Sequence, residues 1–146
     1  MKISAKSRYA LAALTYMAQH YSANDIVTVL SLSEKLGISK IYLEQVFSLL
    51  RRGNVVTSIK GAQGGYRLTK APKDITIFDI LSSIETALFE RTESTVPKSD
   101  GNIEKAMFEM VFDVLDHSLR ETLTAISLED IVTKAGTYKD EYMYYL

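Results

Sequence analysis

Between Leu32 and Thr69, two short helix-forming runs meet around one glycine, and two β-rich runs then meet around three more. Few folds accommodate that order. Ser31 reads as a helix N-cap with Glu34 three residues on, the reciprocal arrangement of a capping box. The helix Leu32–Leu36 stops at Gly37, since glycine accepts the left-handed conformation that closes a helix. Ile38 connects, Ser39 caps the next helix, and Leu43, Val46, Phe47 and Leu50 supply i, i+3, i+4, i+7 spacing on its inward face. That helix ends near Arg52-Gly53-Asn54. A helix, a short turn around a glycine and a longer helix outline a helix-turn-helix.

The next segment narrows the reading. Val55–Ile59 is β-branched, Tyr66–Thr69 alternates apolar and polar residues, and Lys60-Gly61-Ala62-Gln63-Gly64-Gly65 joins them. A β-hairpin directly after a helix-turn-helix is a wing. A nucleotide-phosphate loop would need a strand-to-helix Gly-x-Gly-x-x-Gly or a Gly-Lys-Ser/Thr ending, and neither is present. The fold class expected is mainly α with a small β-hairpin wing: a winged helix-turn-helix followed by a long dimerisation helix.

Before this centre, an amphipathic first helix carries Leu11, Leu14, Ala18 and Tyr21 at helical spacing, and a short β-rich stretch follows it at Ile26–Leu30. Lys2, Lys6 and Arg8 before Tyr9–Leu14 imitate a secretory signal, but Thr15, Tyr16, Gln19 and His20 interrupt the apolar run. No export or membrane segment is expected, and the location expected is cytoplasmic. Thr76 caps a helix through Glu85 with Ile77, Ile80, Leu81 and Ile84 inward. The winged domain is thus expected over 1–87, a mobile linker over 88–101, a helical dimerisation region over 102–136 and a tail over 137–146.

In the region 102–136, a helix from Asn102 to Thr122 confines its polar residues to a stripe at Lys105, Glu109, Asp113, Asp116 and Arg120. A helix apolar over most of its circumference must be covered on more than one side. A second copy of the chain is the leading partner, through Ile103, Met107, Met110, Val111, Val114 and Leu115; an intramolecular sandwich is the alternative. Ser127 then caps a last helix, which Gly136 is expected to end.

The net charge of −1 conceals an asymmetry. Residues 1–75 carry eleven Lys/Arg against four Asp/Glu, or +7, and residues 76–146 carry six against fourteen, or −8. A basic half that meets a polyanion explains this, as do two oppositely charged faces that attract each other. Catalysis finds little purchase: the two histidines, His20 and His117, have no partner at metal-pair spacing, and there is no Gly-x-Ser-x-Gly elbow. No catalytic or metal residue and no cofactor is expected, and the chain is not expected to be an enzyme.

Double-stranded DNA is the expected partner. The second helix of a helix-turn-helix enters the major groove with its N-terminal residues against base edges. Ser39 and Lys40 suit phosphate or base contacts, and Ile41 a thymine methyl. Tyr42 suits a phosphate, Glu44 a cytosine amino group and Gln45 an adenine. Glu44 can equally be a solvent-facing partner of Lys40. Lys60, with Gln63 beyond it in the tip, suits the minor groove, and Lys2, Lys6, Arg8, Arg51 and Arg67 add phosphate attraction.

Met1–Ala10, Ile38-Ser39-Lys40-Ile41-Tyr42-Leu43-Glu44-Gln45 and Gly61-Ala62-Gln63-Gly64-Gly65-Tyr66-Arg67-Leu68 resemble, in order and spacing, the Rrf-two (Rrf2) family of bacterial winged-helix regulators. The resemblance runs from Met1 to about Gly136. It implies a homodimer joined through the long helix, a palindromic operator, base reading at Ile41 and Glu44, and a minor-groove cation at Lys60. Cluster-binding members carry three cysteines between head and long helix; here Glu90–Asp100 stands in that place, and the sequence has no cysteine. Cysteine-ligated iron–sulfur sensing is excluded by that chemistry. The sequence is most similar to the cluster-free, cysteine-metabolism repressor type, which also opens Met-Lys-Ile-Ser and closes on an aromatic tail, as Tyr142-Met143-Tyr144-Tyr145-Leu146 does here. In that type cysteine synthase is the sensing partner. The likeness implies a repressor of cysteine or sulfur metabolism or, alternatively, an interaction module whose Tyr145 and Leu146 dock into such an enzyme. A terminal leucine departs from the isoleucine that cysteine synthase accepts, and a tail packed on the dimer is the other reading.

Overall fold

The computed structural model describes residues 1–61, 64–95 and 101–144, with the side chains of residues 140 and 142–144 left aside. In chain order the elements are α1 (Ala5–Gln19), α2 (Val29–Leu36), α3 (Lys40–Arg52), β1 (Val56–Ile59), β2 (Gly65–Leu68), a 3-10 turn (Pro72–Asp74), α4 (Ile77–Ile84) and α5 (Thr86–Phe89). There follow α6 (Gly101–Met107), a π-helical turn (Phe108–Phe112), α7 (Asp113–Thr124) and α8 (Leu128–Tyr144). The architecture is mainly α with one antiparallel hairpin, in register from Val56 opposite Leu68 to Ile59 opposite Gly65. This is the winged helix-turn-helix that the spacing predicts.

Leu43, Val46, Phe47 and Leu50 are completely buried, so α3 turns the expected face inward, onto Ala10, Ala13 and Leu14 of α1 and Leu32 of α2. Phe47 also meets the ring of Tyr66 at 4.9 Å, which seats the wing on the base of α3. Gly37 closes α2 at φ +67°, the left-handed conformation for which glycine is suited.

Several boundaries differ from the sequence expectations. Thr28, not Ser31, caps α2: the Thr28 hydroxyl accepts from the Ser31 N–H at 3.1 Å, and the helix starts three residues earlier. Of the β-rich stretch, Val27 alone pairs, exchanging two 2.8 Å backbone hydrogen bonds with Tyr66. The buried face of α1 is Ser7, Ala10, Ala13, Leu14, Met17 and Ala18; Leu11 is half-buried and Tyr21 lies exposed beyond the helix. Thr76 caps α4 as expected, in a full capping box with Asp79.

Leu88 and Phe89 belong to α5, residues 90–95 hold no helix or strand, and the rest of the expected linker up to residue 100 lies outside the described residues. The long helix is interrupted by a π turn, and it runs on to Thr124. Ser127 and Asp130 cap α8 reciprocally, at 3.1 and 2.9 Å, but Gly136 does not end it: α8 continues to Tyr144. A glycine inside a helix costs about 1 kcal/mol and does not by itself break one. Tyr145 and Leu146 lie outside the described residues.

The start of α8 returns to the head. Leu128 is completely buried in the core, its N–H donates to the Ile75 carbonyl at 2.8 Å, and the Ile77 N–H donates to the Ile126 carbonyl at 2.9 Å. The core of the head is therefore completed from the far side of the long helix.

Candidate nucleic-acid interface

Because α3 buries one face completely, its opposite face is presented to solvent. Ser39, Lys40, Ile41, Tyr42, Glu44 and Gln45 are all exposed, Ile41 at 68% of its surface. Ser39 occupies the N-cap position without a side-chain capping bond, which leaves its hydroxyl available to an incoming phosphate. Lys40 Nζ lies 3.7 Å from Glu44 Oε1 with both side chains more than half exposed. The solvent-facing pair is therefore the arrangement seen in the free protein. In high dielectric such a pair is weak, and both partners can exchange it for DNA. The Tyr42 ring meets Tyr9 of α1 edge-on at 5.5 Å, which fixes the direction of its hydroxyl.

Lys6 of α1 joins Ile41, Glu44 and Gln45 in one open groove, with Ser48, Leu49 and Arg52 continuing it along α3. Lys2, Arg8 and Arg51 are exposed but do not line this groove. Lys60 is exposed just beyond β1 at the wing tip, and Arg67 is half-buried on β2 opposite Thr57. Gln63 lies outside the described residues. Sequence reasoning passed over Arg52, although it falls eleven residues after Ile41 and seven after Gln45, on the same helical stripe.

The basic N-terminus is held in place by polar contacts. Ser4 caps α1, its hydroxyl accepting from the Ser7 N–H at 3.2 Å. The Ser4 N–H and the Ser7 hydroxyl both donate to Glu85 Oε1, at 2.9 and 2.8 Å. Hydrogen bonds from Ser4, and then from Ser7, hold the Glu85 carboxyl below its ordinary range. These contacts lock the first turn of α1, which carries Lys6 and Arg8, to the end of α4.

On the long helix, Ile103 (57%), Met110 (75%), Val111, Val114 and Leu115 (61%) are exposed in the single chain, and Met107 is half-buried. The His20 ring meets that of Tyr16 at a tilt with centroids 4.8 Å apart, His117 lies 3.2 Å from Glu121, and no group of three His, Cys, Asp or Glu gathers among the described residues. Among those residues no helix is long and apolar enough to cross a membrane.

The family described as "Rrf2: Iron-dependent Transcriptional regulator" matches residues 3–134. The transcriptional regulator IscR of Photorhabdus laumondii is 30% identical over 132 residues, which cover 90% of this chain and 79% of the relative. Among solved structures, T. potens IscR superposes with a TM-score of 0.67 at 32% identity, covering 92% of this chain and 88% of its own. CymR, the global cysteine regulator of B. subtilis, superposes with a TM-score of 0.70 at 29% identity, covering 92% and 98%. The iron in the family's description finds no matching donor set here, since there is no cysteine and no cluster of other ligands among the described residues. The relatives are regulators of transcription, which favours DNA binding over a role confined to docking on an enzyme. By its fold, its exposed recognition helix and its match over nearly the whole sequence, the chain belongs to the Rrf2 family of DNA-binding transcriptional regulators.

Proposed function

We propose that the protein is a homodimeric repressor that reads a palindromic operator without an iron–sulfur cluster, and that it governs cysteine or sulfur metabolism. The observation that carries the DNA-reading part is the division of α3. Four apolar side chains are completely buried on one face, and Ile41, Glu44, Gln45 and Lys40 stand exposed on the other. In this reading Ile41, Glu44 and Gln45 meet base edges, Ser39, Lys40 and Tyr42 meet phosphates, and Lys60 enters the minor groove with the wing. Lys2, Lys6, Arg8, Arg51 and Arg67 contribute charge around them.

The exposed apolar residues of the long helix support the homodimer, because side chains of that size are ordinarily covered. The likeness to a global cysteine regulator supports the metabolic assignment; docking of the Tyr145–Leu146 end into cysteine synthase rests on the resemblance of the aromatic tail to the cysteine-metabolism repressor type. Selection of bound sites from random duplexes should return a palindrome, and specific affinity should fall by about 0.9 log units per log unit of salt for each phosphate neutralised. A flat salt response or a non-palindromic site would overturn this reading. Removing residues 142–146 should abolish capture of cysteine synthase and leave operator binding by the isolated protein intact.

A further inference from the structure

A second cleft, of about 270 Å3, opens between α5 and α7, away from α3. Asp113, Asp116, Leu119 and Arg120 line it from α7, and Leu88, Phe89 and Arg91 line it from the other side. Its charges are not paired with one another. An acid and a base four residues apart on a helix can pair, as Lys40 with Glu44, Lys105 with Glu109 and His117 with Glu121 do here. The two carboxylates of the cleft do not, nor does Asp130 with Lys134 on α8, where Lys134 lies over the Tyr138 ring. His117, four residues after Asp113, is taken by Glu121 at 3.2 Å. Arg120, four residues after Asp116, instead lies over Phe78 of α4, 4.6 Å from the ring centroid. Phe78 in turn meets Phe89 edge-on at 5.1 Å, so Phe89 backs the ring on which the guanidinium rests. Among the described residues Asp113, Asp116 and Arg91 have no ion-pair partner.

Two carboxylates three residues apart on a helix repel each other, and a cation between them relieves that repulsion. Two guanidiniums beside them favour an anion in the same way, and Arg binds carboxylates through two parallel hydrogen bonds. A purely anionic ligand would meet the aspartates and a purely cationic one the arginines. Arg91, Asp113, Asp116 and Arg120 are all exposed and hydrated in the free protein, and a molecule carrying both charges complements both walls at once. The volume lies below the range of drug-sized sites, which start at about 300 Å3. We propose that this cleft binds a free α-amino acid with an uncharged apolar side chain. Its ammonium group sits on Asp113 and Asp116, its carboxylate on Arg91 and Arg120, and its side chain against Leu88, Phe89 and Leu119. Because the site joins the end of the head to the long helix, occupancy braces one against the other.

Calorimetric titration of the full chain, with no DNA present, tests this separately from operator binding. At least one of L-leucine, L-methionine and L-phenylalanine should bind saturably. The leucine analogues 4-methylpentanoate and 3-methylbutylamine, each lacking one charge, serve as controls where leucine binds; the deaminated and decarboxylated forms of methionine or phenylalanine serve otherwise. Each singly charged analogue should bind at least about tenfold more weakly than its parent. Arg91→Gln and Asp116→Asn, side chains with no other partner among the described residues, should each weaken binding about tenfold while melting at the wild-type temperature. Absence of saturable binding by all three amino acids, equal binding of the singly charged analogues, or unchanged affinity in both variants would overturn the proposal.

Discussion

The Ser7 hydroxyl, completely buried, donates to Glu85 Oε1 at 2.8 Å across 78 residues of sequence. With the Ser4 N–H on the same oxygen at 2.9 Å, one carboxylate at the end of α4 holds the first turn of α1. It also places a negative charge where the helix dipole favours one. Glu85→Ala leaves the Ser7 hydroxyl without this acceptor and should destabilise the protein by about 1–3 kcal/mol in urea denaturation. Because Lys6 and Arg8 ride on that turn, DNA affinity should fall as well.

The same carboxylate should make stability depend on acid. Its bonds hold the folded-state pKa below the ordinary value of 4.5, so the unfolded chain binds the proton more readily. The contribution is therefore present in full above the unfolded value and is lost as pH falls through the folded one. Denaturation midpoints of wild type and Glu85→Gln should differ at pH 7 and converge as pH falls below 4.5. A difference that stays constant across that range would show that Glu85 contributes nothing through its charge.

Gly65 is where Val27 crosses the wing. A Cβ there would stand 2.5 Å from the Val27 carbonyl oxygen and 2.9 Å from Ile26 Cγ2, closer than backbone tolerates. Gly65→Ala should break the exchange between Val27 and Tyr66, at a cost of about 1–3 kcal/mol. Loss of wing contacts should appear as weaker protection of minor-groove bases in footprinting, with major-groove protection retained.

Much of the head was legible because its signals are local. The spacing of Leu43, Val46, Phe47 and Leu50 identifies the buried face of α3, and Gly37 marks its turn. The start of α2 was not, since both Thr28 and Ser31 suit an N-cap and only the Val27–Tyr66 pairing decides between them. Leu128 gives no hint in sequence that it closes a core whose other buried members end at Leu81, because that packing depends on the path of the long helix. The π turn at Phe108–Phe112 breaks the helical period, so a single stripe drawn from Lys105 to Arg120 does not describe one face. At the interface the exposed residues of α3 follow from periodicity, whereas the Tyr9–Tyr42 contact and the Glu85 anchor join separate elements and have no local signature.

Lys40 and Glu44 should separate affinity from specificity. Their ion pair is exposed and contributes under about 1 kcal/mol, so neither substitution should alter stability appreciably. Lys40→Ala should weaken binding to all duplexes alike and lower the salt slope by roughly 0.9 per head. Glu44→Ala should leave the slope unchanged or steeper and relax preference at one base pair in each half-site. An unaltered selected motif would show that Glu44 only neutralises Lys40.

The long helix should decide the assembly. Met110 and Val114 lie four residues apart and are exposed at 75% and 52%, with Ile103 and Leu115 beside them in the exposed apolar set. Covering such side chains against a second copy contributes about 1.5–3 kcal/mol each, enough together to hold a dimer at micromolar concentration. Sedimentation should therefore find the wild type dimeric at that concentration. Met110→Asp with Val114→Asp buries two unpaired charges in the interface and should raise the dimer dissociation constant at least about a hundredfold. The head shares none of these side chains in its buried core, so the variant should keep its helical content while losing preference for two half-sites over one. A wild type that sediments as a monomer, or a variant that remains dimeric, would place the contact between copies elsewhere and leave the apolar residues of the long helix for a different partner.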